Sequence, residues 1–265
     1  SLATFPRSVQ AGEGKTALLR ASAYSVVGCL NARIRGGDWR GCWRGALKAS
    51  AASGVEHLGM RMVAEGQHWP GVLMHSLGAS MLENLVDGRA LFSRYRMFYL
   101  WGSFGYDFER HDFQPQLLFG RSIATAVTLA RGYKFDWGQS LRLGVPFFLD
   151  TDSLPGNPSG QSLLGTVVID ERRWNEHDPL VRAFNRRFVL RHEMLHTLQY
   201  RRARVCNSLV DRFIYHDYNN GPVSFGQDAC HLASIPLHEP EVRAFKPIML
   251  RDIVQELRGN FGKPN

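Results

Sequence analysis

A change of hydrophobic pattern at Asp87-Gly88 limits the fold of this chain more than any other feature. Before it, over residues 21–86, small and apolar residues such as Ala46, Leu47, Ala49, Ala52 and Val55 recur in helical style, and a further helix is predicted over 71–86. After it, residues 91–108 alternate Tyr, Phe and Trp with polar side chains, the period of half-buried strands. Residues 117–130, 133–136 and 141–149 continue in that style, punctuated by Gly132, Gly138 and Gly144, and predict a β-rich middle of antiparallel strands. The chain therefore reads as α+β, with a helical region over 1–90 and a mixed region over 91–265 that ends in helices. The linkers are short, which favours one compact unit.

The ends and joints are read from local signals. Residues 1–20 have weak periodicity and predict an extended arm. Gly12-Glu13-Gly14-Lys15-Thr16 has the look of a phosphate loop, but Val9 stands where that motif needs glycine and no strand leads in. Residues 150–161 are a turn-rich loop, and the apolar run at 165–170 is a strand. Asp178 as N-cap and Pro179 as first helical residue open a stretch without Gly or Pro that reaches about residue 206. Similar start signals recur at His238-Glu239-Pro240, and a last helix is predicted over 247–258.

The net charge of +8 and pI of 9.6 invite anionic partners. Arginines cluster in twos and threes, without a zinc-knuckle spacing, an RNA-recognition signature or a long basic tract, so nucleic acid is not expected. An anionic membrane surface suits the charge and favours a cell-envelope or periplasmic setting. The most apolar stretch, 72–86, is interrupted by His75, Glu83 and Asn84, which fits a buried or interfacial helix rather than a span. None of Cys29, Cys42, Cys206 and Cys230 forms a CxxC pair, leaving two disulfides, one in each half, or four buried thiols.

The chemistry is concentrated in His192-Glu193-Met194-Leu195-His196. On a helix, residues four apart share a face, so both imidazoles can reach one tetrahedral zinc ion (Zn2+). Glu193 falls one residue round, close enough to take a proton from a water at the metal without ligating it. Phe188-Val189-Leu190, Leu195 and Leu198 supply a buried face for such a helix. Gln199, one turn past His196, is placed to hydrogen-bond a ligand. His75 and Asn84 read as satisfied core polar groups.

With its preceding strand, this motif resembles the zincin metallopeptidases. It departs from the metzincin branch, which needs Gly and His where Gln199 and Arg202 stand. HExxHxxQ followed by an aromatic residue, here Tyr200, is similar to bacterial gluzincin-like families. The resemblance covers about residues 165–245. It implies a zincin-like C-terminal region, peptide or protein substrates, and a third metal ligand from a later helix. Glu239, in Glu239-Pro240-Glu241, is the first candidate by that resemblance, with His238 and Glu241 as alternatives. Tyr215, His216 and Tyr218 are candidates to stabilise an oxyanion, and Asp211, Asp217 and Asp228 are weaker ligand candidates.

The expectation is thus a zinc-dependent metallopeptidase-like hydrolase with Glu193 as general base. The alternative is a non-catalytic envelope or assembly scaffold that keeps a zinc for stability and sits at a membrane surface.

Overall fold

The computed structural model describes the backbone of residues 8–151, 159–214, 223–224 and 226–261, and the side chains of 13–151, 159–202 and 240–259. The chain begins with three helices: α1 (Ser8–Ile34), α2 (Trp39–Ala64) and α3 (His68–Asp87). Asp38 caps α2 by accepting a hydrogen bond from Gly41 N at 2.7 Å. The break read at Asp87-Gly88 is a Schellman stop: Gly88 takes φ 73°, and Arg89 N and Gly88 N donate to Asn84 O and Leu85 O.

Small residues let these helices approach closely. A Cβ built on Gly28 would lie 2.4 Å from Gly45 O, and one on Gly59 would lie 2.3 Å from His75 N. Cys29 and Cys42 join α1 to α2 by a disulfide. Cys206 and Cys230 lie outside the described side chains. One expectation is corrected in this region. The predicted extended arm over 1–20 is largely helix, because α1 starts at Ser8 and packs along α2. Leu47 does not join Ala49 and Ala52 inside but is 68% exposed.

The middle is β-rich in part. β1 (Arg94–Tyr99), β2 (Gly102–Asp107) and β3 (Asp112–Leu118) form an antiparallel meander. Residues 119–130, expected as strand, form α4 (Phe119–Ala130), which buries Gly120, Ala124 and Thr128 at four-residue intervals. β-branched content (Ile123, Thr125, Val127, Thr128) suggested a strand where the burial period is helical. β4 (Lys134–Phe135), α5 (Trp137–Leu143), β5 (Phe147–Asp150), β6 (Gly160–Leu163) and β7 (Thr166–Asp170) follow. The second sheet has the order β4-β5-β7-β6, with β5 and β7 parallel and the outer pairs antiparallel. The expected antiparallel middle is therefore mixed. β5 and β7 are buried on both faces, as parallel neighbours usually are.

A short turn of helix, α6 (Glu171–Trp174), leads to α7 (Pro179–Ile214). Asp178 Oδ1 accepts from Leu180 N and Val181 N at 2.8 and 3.1 Å, as its N-cap role requires. β8 (Val223–Ser224) pairs parallel with β3, and α8 (Gly226–Phe261) closes the described chain. The sequence suggests a helix start at Pro240 and another at Pro247, but α8 runs through both. The main core gathers Met60 and Val63 from α2, Phe147 from β5, Val167 and Ile169 from β7, Leu195 and Leu198 from α7, and Val242, Phe245 and Met249 from α8.

Candidate metal centre

The HExxH residues lie on α7, where Val189, Met194, Leu195 and Leu198 press into the main core and leave the two histidines half-buried beside them. Their Nε2 atoms are 3.3 Å apart. Two imidazole nitrogens bound at 2.0–2.1 Å around a tetrahedral ion would be separated by about 3.3 Å. The pair thus fits a shared zinc ion. His196 Nδ1 sits 2.8 Å from Gln199 Oε1. The amide oxygen can only accept, so Nδ1 is the donor, the arrangement that leaves Nε2 as the nitrogen available to a metal.

Glu193 is buried, 4% exposed, and faces the start of β6: a Cβ on Gly160 would lie 3.1 Å from Glu193 Cγ. β6 is the edge strand of its sheet. Glu193 packs against the face of β6 together with Val189, which also lies within reach of that Cβ on Gly160.

Behind His196 a buried polar chain runs into the N-terminal helices. Gln199 Nε2 donates to Glu241 Oε2 at 2.8 Å. Arg202 holds both oxygens of Glu241, and Arg20 Nη1 reaches Oε1 at 2.8 Å. Arg20 Nη2 also donates to Glu56 Oε2 at 2.8 Å, and His75 Nε2 lies 3.2 Å from Glu56 Oε1. Burial pushes the Glu56 carboxyl upward, but Arg20, the close approach of His75 and Arg202 outweigh it and bring its pKa to about 2. Burial acts upward on Glu241 as well, and Arg202, Arg20 and Gln199 hold it well below the usual carboxylate range. Burial keeps His75 below the ordinary histidine value in spite of Glu56.

This network corrects one candidate. Glu241 is not set up as a metal ligand, since both its oxygens are taken by two guanidinium groups and an amide. It holds Gln199, which holds His196. The bond also brings the 238–241 stretch of α8 next to the histidine-bearing part of α7. The side chains of His238, Glu239, Asp211 and Asp228 lie outside the described residues, as do Tyr215, His216, Asp217 and Tyr218. Among the described residues no group of three or more His, Cys, Asp or Glu could hold a metal ion.

Sequence reasoning missed Arg20, Glu56 and Arg202. The available signal was three charged residues on helices that otherwise bury small and apolar positions. The core reading of Asn84 is accurate, since its Nδ2 donates to Leu91 O and Arg94 O at 2.9 and 2.8 Å. Arg201 is the companion of Arg202 on α7, donating to Phe98 O at 2.7 Å and Ser76 Oγ at 3.2 Å. Adjacent arginines therefore tie the helix to α3 and β1 on one side and to α8 on the other. No family model, curated protein or solved structure matches the chain.

Proposed function

We propose that this chain is a zinc-dependent hydrolase of peptide bonds, in which His192 and His196 supply two metal ligands and Glu193 is the general base. The observation that carries the reading is the 3.3 Å spacing of the two Nε2 atoms, with His196 Nδ1 tied to Gln199. Zinc at that position supplies Lewis-acid activation of a water and of the scissile carbonyl. Glu193 removes the proton of the attacking water and passes it to the leaving amine. β6, on whose face Glu193 packs, is an edge strand, so an extended substrate could add to that sheet through its own backbone. Glu239, with His238 as the alternative, supplies the third ligand from α8. The zincin-like, gluzincin-type assignment of the C-terminal region rests on the motif and on this arrangement.

The test is metal content and turnover together. Wild-type protein should hold one zinc per chain, lost in His192→Ala and His196→Ala. Glu193→Gln should keep the metal and lose peptidase activity by about three orders of magnitude or more. Undiminished turnover in that variant refutes the mechanism, and a wild-type chain that takes up no zinc refutes the site.

A membrane-surface role, compatible with the enzyme or with a zinc-stabilised scaffold, has its own support. Trp39, Trp43 and Leu47 are each 68% exposed and repeat every four residues along α2. Arg40, Arg44 and Lys48 are exposed one position on, forming a basic row beside the apolar one. Among the described residues no helix is long and apolar enough to cross a membrane. Binding to vesicles rich in phosphatidylglycerol should fall with salt and with Trp39→Ser/Trp43→Ser. Equal binding to neutral vesicles, or none to either, removes this role.

A further inference from the structure

A cavity of about 690 Å³ lies away from the histidines. It lies where α3, α5 and α7 meet, on the side of α7 turned roughly 150° from His192 and His196 at 100° per residue. Five arginines line it: Arg142, Arg182, Arg186, Arg187 and Arg191. Two of them are matched by acids, since Arg187 pairs with Glu256 at 2.9 Å and Arg191 with Asp252 and Glu256. The other three have no carboxylate partner among the described residues. Arg186 donates to Trp174 O and Asn175 Oδ1 at 2.6 and 3.0 Å, and Arg182 reaches only Glu176 O at 3.3 Å. Arg187 Nη1 is buried there with no hydrogen-bond partner among the described residues. Burial and then the charge of Arg182 draw Arg186 below the usual arginine range.

Apart from His68 and Gln139, the rest of the wall is largely apolar. Val63, Leu143, Leu190 and Met194 line it together with Trp69 and Trp174. Trp69 is fixed by donating from its indole nitrogen to Arg142 O at 3.0 Å, and the guanidinium of Arg186 lies 5.0 Å over Trp174. The volume suits one small molecule.

We propose that this cavity binds a small molecule carrying a phosphate monoester on an apolar or aromatic body. A phosphate dianion offers three oxygens to guanidinium forks approaching from different sides, whereas a carboxylate is satisfied by one fork. Three arginines lacking acid partners match the former. The apolar wall takes the ester's organic part. This site is independent of the zinc reading and stands or falls separately from it.

The experiment is calorimetric titration of the full chain with phenyl phosphate, benzoate and dihexanoyl phosphatidic acid. Phenyl phosphate should bind about tenfold or more tightly than benzoate, a difference of about 1.4 kcal/mol. Arg142→Ala and Arg182→Ala should each weaken it about fivefold or more while leaving the melting midpoint in place. Tighter binding of phosphatidic acid assigns the phosphate to a lipid headgroup, and tighter binding of phenyl phosphate to a soluble ester. Absence of binding by either phosphate, or binding unchanged in both variants, overturns the proposal.

Discussion

Arg202 grips Glu241 with both prongs of its guanidinium, Nη1 to Oε1 at 2.8 Å and Nη2 to Oε2 at 2.5 Å, across 39 residues of sequence. Both are buried, and removing Glu241 leaves Arg202 with no described carboxylate nearer than Glu56 Oε1 at 4.0 Å. Glu241→Leu, which takes its bidentate partner from Arg202 and leaves Arg20 paired with Glu56 alone, should cost about 3 kcal/mol in urea unfolding. Adding Arg202→Met should recover part of that loss. Simple additivity of the two substitutions would show that the pair is not coupled.

The bond from His196 Nδ1 to Gln199 Oε1 makes Gln199 a positioning residue. Gln199→Leu should weaken zinc affinity about 10–100-fold, measured by competition with a chromophoric chelator. Gln199→Glu restores an acceptor for His196 but loses the donor to Glu241 and faces its charge, so it should recover only part of the affinity. A leucine variant with unaltered affinity would separate the amide from the metal.

Stability should fall with acid in two stages. Burial, opposed by a hydrogen bond with Leu143 O, lowers the His68 pKa from 6.5 to about 4. The unfolded chain then binds the proton more readily than the folded one, so stability present above pH 6.5 is lost toward pH 4, by up to about 3 kcal/mol. Glu56, with its pKa lowered from 4.5 to about 2, adds a second decline from about pH 4.5 toward 2. Melting curves across pH 7 to 3 should show a falling midpoint. In His68→Gln the upper stage should shrink.

Two glycines on α2 should respond oppositely to the same substitution. A Cβ on Gly59 meets His75 N at 2.3 Å, so Gly59→Ala should destabilise by about 1–3 kcal/mol. Nothing lies within 4 Å of a Cβ on Gly54, and Gly54→Ala should stabilise by about 0.5–1 kcal/mol through helix propensity. Thermal denaturation of the two variants side by side decides this.

Local signals were legible in the sequence. The stop at Gly88, the cap at Asp178 and the pairing of His192 with His196 each depend on residues within a few positions, and each stands where the pattern puts it. What needed distant partners was not. α1 carries Gly12 and Gly14 and little apolar periodicity, and its packing on α2 overrides that weak propensity. α8 continues past Pro247 with Ile248, Met249 and Ile253 anchored in the core. Arg20 finds Glu56 across 36 residues, a separation at which no spacing rule operates.

Asp87-Gly88 marks a boundary in secondary structure that is no boundary in cooperativity. Met60 and Val63 share a core with Leu195 and Phe245, and Arg20 reaches Glu241. A fragment beginning at residue 91 would expose that apolar surface and deprive the histidine helix of its bracing. Expressed alone, it should aggregate or remain unfolded, and the intact chain should melt in one transition. The first ninety residues act as the keystone of the site rather than as a porch before it.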